Sequence, residues 1–169
     1  MGKRTIAMVI PWVMALLIVF GVAQRDAVPV QAVGFNNEVA GVYFLQQSSG
    51  SNRLLTIMPD GIMLGTDSSQ PASLLVPNSA SFSNQQGVWE QTDFRKLHGK
   101  MFDFVYPIEA NPQVETTMAI YDLTFSNDYR TVTGTITLQF YVGNPLAPGA
   151  TPTGAPIMVT VMGQRATAQ

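Results

Sequence analysis

Residues Thr131–Val142 read T-V-T-G-T-I-T-L-Q-F-Y-V. Val132, Ile136, Leu138, Phe140 and Val142 share one parity; Thr131, Thr133, Thr135, Thr137 and Gln139 share the other. A period of two in β-branched and aromatic residue types is the pattern of an extended strand. A helix would scatter the threonines around all its sides. One face must therefore be covered by protein while the other meets water, which is the habit of antiparallel sheets.

Reading outward from that strand, more of the same appears. Residues 157–165 form a last strand, after an exposed loop at 143–156 with four prolines and three glycines. Upstream, residues 114–125 run as a long strand with Thr117, Ala119, Tyr121, Leu123 and Phe125 on its inner side, and 126–130 is a hairpin turn by composition. Residues 97–106 carry Phe102, Phe104 and Tyr106 on one parity, read here as the inner face. Residues 39–47 are the first strand, and 53–58 and 62–66 flank Pro59-Asp60-Gly61. In that turn Pro presets φ, Asp bonds its own backbone and Gly takes a positive φ. The polar stretch 67–86, interrupted by Leu74-Leu75-Val76, is a lid or a loop with a short strand; 87–91 begins the next strand. No helical pattern is visible after the N-terminal segment. About eight strands joined by short turns point to a sandwich or a closed barrel. With only 12% of residues charged, closure is the safer way to remove adhesive edges. The expectation is an all-β, antiparallel, about eight-stranded up-and-down barrel over residues 39–169.

A hydrophobic share of 46% excludes a disordered chain, and 169 residues suit one domain. There is no cysteine, which removes thiol nucleophiles, thiolate metal sites and disulfides together. No basic run extends beyond Arg95-Lys96, so nucleic acid is not an expected partner. Lys3 and Arg4 precede residues 6–23, which are apolar and uncharged. This is the layout of a secretory signal, cleaved after Ala23 or at a second site near Ala32. Its 18 residues also just reach a short membrane span, so an uncleaved anchor is the rival reading. In both cases the positive-inside rule places the barrel outside the cytoplasm, periplasmic, secreted or held at the membrane through residues 6–23. Residues 24–38, with Pro29 and Gly34, read as a linker.

Candidate chemistry is sparse. His98, the single histidine, shares parity with Phe102 and could face the barrel mouth as a general base. The plainer reading is an exposed residue beside Lys96 and Lys100. Asp103 and Asp122 lie within apolar strands; an inward carboxyl would have a raised pKa and could serve as acid or base. Parity, however, places each opposite the aromatic face of its strand, toward water. No metal site and no cofactor is implied by any motif.

Gly41-Val42-Tyr43 resembles the lipocalin G-x-W signature with Tyr in place of Trp, and Asn127-Asp128-Tyr129 is similar to that family's T-D-Y element. Arg165 stands where lipocalins carry an Arg packed across the first-strand aromatic, here the Tyr43 ring. The P-D-G hairpin, Gly87-Val88-Trp89 and the terminal Gly163-Gln164-Arg165 also look like the bacterial allene-oxide-cyclase-like barrels. There is no C-terminal helix of the lipocalin kind. Both resemblances imply a calycin-like barrel with an apolar central cavity. Its expected lining is Tyr43, Phe102, Phe104, Tyr106, Tyr121, Phe125 and Phe140. Binding of a small apolar molecule is the first functional expectation. A cofactor-free cyclase or isomerase in the same cavity is the second, and a scaffold binding a protein through loops 67–86 and 143–156 is the third.

Overall fold

The computed structural model of the chain describes residues 30–70, 80–106 and 114–167. The expected signal or anchor at 1–23, Leu74-Leu75-Val76 and the 107–113 turn lie outside the described residues. A helix α1 (Val30–Val39) precedes nine strands: β1 (Gly41–Gln47), β2 (Asn52–Ile57), β3 (Ile62–Asp67), β4 (Ser81–Phe82), β5 (Gln85–Asp93), β6 (Lys96–Tyr106), β7 (Glu115–Phe125), β8 (Thr131–Val142) and β9 (Ile157–Arg165). All pairings are antiparallel. The threonine-rich β8 lies between β7 and β9, β9 pairs β1, and β6 pairs β7, so eight strands close into a barrel. The two-residue β4 continues β5 alongside β6.

Alternation decides what fills the barrel. Tyr43 and Leu45 of β1, Leu55 and Ile57 of β2, Met63 of β3, Trp89 of β5, and Leu97 and Met101 of β6 point inward and are buried. So are Ala119, Tyr121, Leu123 and Phe125 of β7, Val132 and Ile136 of β8, and Val159 and Val161 of β9. The inner set read for β7 holds, and that for β8 holds from Val132 to Phe140. At the end of β8, Val142 is exposed and Tyr141, of the other parity, is buried. The set read for β6 does not hold: Leu97, Gly99, Met101 and Asp103 face inward, while Phe102, Phe104 and Tyr106 face out. Both parities of β6 carry apolar side chains, so alternation alone was ambiguous. Space resolves it. A Cβ on Gly99 would already sit 2.6 Å from the Met63 sulfur, which leaves no room for a ring at that layer.

The two ends of the barrel differ. At one, which we term the base, the turns are short: 58–61, 94–95 and 126–130. Gly61 of the P-D-G turn has φ +89°, the conformation that glycine adopts without a Cβ penalty. The base is sealed by α1, where a linker was expected. Phe35 packs edge-on against Trp89, Phe125 and Tyr129, with ring centroids 6.0, 6.1 and 6.0 Å away. Such edge contacts add to the area buried. Val39, one turn on, is fully buried. Tyr129, at φ 54°, is held in the left-handed region by this packing and by its carbonyl, which accepts the Tyr43 hydroxyl at 3.2 Å. That hydroxyl is also within 3.0 Å of the Val39 carbonyl.

Arg165 lies opposite Tyr43 on the neighbouring strand, as closure requires. Its guanidinium bonds the carbonyls of Glu38, at 2.9 Å, and Ala40, rather than covering the Tyr43 ring. These are the open acceptors at the end of α1, where a cation is favoured. Its Nε comes within 2.7 Å of where a Gly41 Cβ would be, so Gly41 admits the arginine. Phe35→Ala should therefore destabilise the fold by about 3–5 kcal/mol in urea unfolding; a loss under about 0.5 kcal/mol, ordinary for a surface site, would show that α1 is not part of the core.

Candidate functional site

Opposite the base, the turn 48–51 is as short as those of the base, whereas the connections 68–80, 107–114 and 143–156 are longer. Toward this end of the barrel the lumen changes from apolar to polar. Arg53, Asp67, Gln85, Asp103 and Thr117 are each at most 5% exposed, and all point inward. Arg53 pairs with Asp67 through Nε and Nη2, both at 3.0 Å, and the two residues are neighbours in the β2–β3 ladder. Arg53 Nη1 donates to Gln85 Oε1 at 2.7 Å and to the Tyr121 hydroxyl. Tyr121 in turn donates to Gln85 Oε1 at 2.6 Å, and Gln85 Nε2 donates to Asp103 Oδ2 at 2.6 Å. Around the barrel β2 and β7 lie four strands apart in either direction, so the Arg53–Tyr121 bond crosses the lumen from wall to wall. Gln47 Nε2 and Ser69 add donors to Asp67.

The charges in this network are set by opposing effects. Burial disfavours the Asp67 carboxylate, but the Ser69 hydroxyl and N–H and the Arg53 cation outweigh it, so its pKa is lowered. Asp103 goes the other way. Burial raises its pKa more than Gln85, Thr117 and the distant Arg53 lower it, and its Oδ1 is buried without a hydrogen-bond partner. Burial also pushes the Tyr121 hydroxyl up to about 12, so it stays protonated and remains a donor. Arg53 loses solvation, yet Tyr121 and Asp67 together keep it a cation with a raised pKa.

Two adjoining clefts lie on the outer wall near the same end. One, of about 510 Å³, is lined by Ser83, Asn84, Gln86, Phe102, Asp103, Phe104 and Thr116. The other, of about 380 Å³, shares Phe102, Phe104 and Thr116 and continues over Gly143, Asn144, Pro145 and Leu146. One arm is bordered by amides and a hydroxyl, the other mainly by rings and aliphatic groups.

The residues singled out in the sequence are thus distributed over three places. Tyr43, Tyr121 and Phe125 are buried in the barrel. Phe140, half-buried, lies beside Thr117 at the long-loop end. Phe102, Phe104 and Tyr106, expected to line a central cavity, are on the outer wall. Of the two aspartates expected to meet water, Asp122 does and Asp103 does not. His98 also faces outward, part-exposed, with Nδ1 2.8 Å from Asp122 Oδ1, rather than toward the barrel mouth. Arg53, Asp67 and Gln85 escaped the sequence reading, although Arg53 shares parity with Leu55 and Ile57. Among the described residues, no group of three or more His, Asp or Glu is placed to hold a metal ion.

Comparison of the chain with family models, curated proteins and solved structures returns no match. The fold is a closed antiparallel eight-stranded barrel, and that much of the resemblance stands on the structure itself.

Two outcomes follow from the network. Arg53→Met leaves Asp67 buried without its cation and should cost about 3–5 kcal/mol in denaturant unfolding; a change below about 1 kcal/mol would mean that the pair is solvated. Asp103→Asn acts in the opposite direction. A raised folded pKa means that the neutral acid favours folding below the ordinary Asp value, and that this contribution is lost as pH rises through the folded value. The variant should thus be more stable than the parent near neutral pH, by about 1 kcal/mol, the order of a buried unsatisfied group. The gain should shrink below about pH 4, where the unfolded-state Asp is protonated too. A variant less stable at both pH values would contradict the assignment.

Proposed function

We propose that the protein is a non-catalytic, calycin-like binding barrel. Its ligand is a small, largely apolar molecule with one hydrogen-bonding end. The observation that carries this reading is the pair of clefts joined over Phe102, Phe104 and Thr116. Apolar surface on Phe104, which is 54% exposed, and on Leu146 offers burial to a hydrocarbon body. Ser83, Asn84 and Gln86 offer hydrogen bonds to its polar end. The site moves from the lumen to the wall because the lumen is crossed by the Arg53–Tyr121–Gln85 bonds. Most inward polar groups are spent on one another, Asp103 Oδ1 being the exception. No second acid–base group stands free beside it among the described lining residues, which favours binding over catalysis. Outside the cytoplasm, such a barrel would carry or sense an amphiphile.

The test begins with the full chain purified from its own host, followed by solvent extraction and mass spectrometry. A stoichiometric amphiphile is expected in the parent protein and at most about a tenth as much in Phe104→Asp, a change on the order of one lost hydrophobic anchor. Val88→Asp, on the same outer wall but outside both clefts, should retain it. An equal load in the parent and Phe104→Asp, or none in the parent, would contradict the reading.

A further inference from the structure

The outer wall of the barrel is divided by charge. Glu90, Lys96, His98, Lys100 and Asp122 all stand on β5, β6 and β7. The outward side chains of the other five closing strands carry no charge. They are Val42, Phe44 and Gln46 on β1; Asn52, Leu54 and Thr56 on β2; Ile62, Leu64 and Thr66 on β3; threonines and Gln139 with Tyr141 on β8; and Met158, Thr160, Met162 and Gln164 on β9. Within this half, Phe44, Leu54, Ile62, Met158 and Met162 are each between 37% and 67% exposed. Phe44 lies directly across from Leu54, and Met162 beside Gln46 of the same strand as Phe44. A neutral apolar area of this extent marks an interaction surface rather than chance exposure.

We propose that this wall, formed by β3, β2, β1 and β9, rests on the lipid surface of a bilayer. Three observations select lipid over other occupants. The first is reach. Residues 1–29 lie outside the described part and include the uncharged stretch 6–23. From there only residues 24–29 lead to α1, a span of at most about 20 Å when fully extended. A chain held in a bilayer by 6–23 therefore presents the barrel to that bilayer at high local concentration. The second is position. The patch begins at Val42, just past α1, and includes Ile62 beside the base turn, so it starts at the end of the barrel where the tether enters. The third is size. Four strands about 4.8 Å apart and about six residues of about 3.3 Å each give a patch of a few hundred Å². A standard protein interface needs about 800 Å² per partner, so a second copy would be poorly held. A lipid surface requires no reciprocal area, and insertion of several exposed Phe, Leu and Met side chains suffices when a tether is present. The absence of Lys and Arg from this wall further specifies apolar insertion rather than attraction to anionic headgroups.

The chain has no cysteine, so single-cysteine labelling is unambiguous. The full chain, its intact mass confirmed, is placed in phosphatidylcholine nanodiscs at one chain per disc. Nitroxides are attached at Leu54→Cys, Met162→Cys and, on the charged wall, Thr124→Cys. Labels at 54 and 162 should collide several-fold more with oxygen than with a water-soluble nickel chelate, and the label at 124 should show the reverse. Adding Phe44→Asp should return the label at 54 to nickel access without altering the far-ultraviolet circular dichroism. Nickel-dominated collisions at both 54 and 162 would overturn the proposal. So would shielding from both reagents, which would indicate a protein contact instead.

Discussion

Arg53 is the constraint on which the upper half of the barrel depends. A guanidinium that is 4% exposed inside a small β-barrel is tolerable only if its donors are engaged. Asp67, Gln85 and Tyr121 supply that engagement from β3, β5 and β7. Because the partners come from walls that face each other, satisfying one cation also ties the barrel across its diameter. The network fixes the orientation of neighbouring side chains too: Gln85 is held by Arg53 and Tyr121 on its oxygen and reaches Asp103 with its nitrogen. Asp103 comes last in that sequence of bonds and is left with one orphaned oxygen.

The base works by a different principle. It is apolar and aromatic, and its few polar groups are closed locally: the Trp89 indole donates to the Met58 carbonyl at 2.9 Å, and Arg165 caps α1. The Tyr43 hydroxyl, pushed up to about 12 by burial with Arg165 pulling the other way, stays a donor to backbone carbonyls. With the base sealed and the lumen braced, the clefts among the described residues lie on the outer wall of the barrel. There it offers clefts on the side of β6 and an uncharged face on the side of β1.

Much of the architecture could be read from the chain because it is written in local patterns. The alternation in Thr131–Val142 and the inner set Thr117 to Phe125 follow from one face being dry. The P-D-G turn follows from the φ demands of two adjacent residues. What stayed illegible depends on partners far away in sequence. Residues 30–39 contain Gly34 and two adjacent asparagines, poor helix formers, and the helix is supported by Phe35, Val39 and the Arg165 cap. On β6, Leu97 and Met101 compete with Phe102 and Phe104 for the inner side, and only the crowded lumen decides between them. Asp103 becomes a buried acid through Gln85, and Arg53 finds Tyr121 across 68 positions of sequence, information that no window of residues contains. Arg53 shares parity with Leu55 and Ile57, a signal that went unread because an arginine is ordinarily placed in water.

The most direct test of this account is a carboxyl-carbon NMR titration of the two buried aspartates, with selective labelling to separate them from the exposed ones. Asp67, held by Ser69 and Arg53, should titrate below the ordinary aspartate value, while Asp103, buried with one oxygen unpartnered, should titrate above it. Divergence in those directions would establish a lumen braced around a single buried cation. Two carboxyls that both titrate at the ordinary value would mean that water reaches them, and that the barrel is open where the structure closes it.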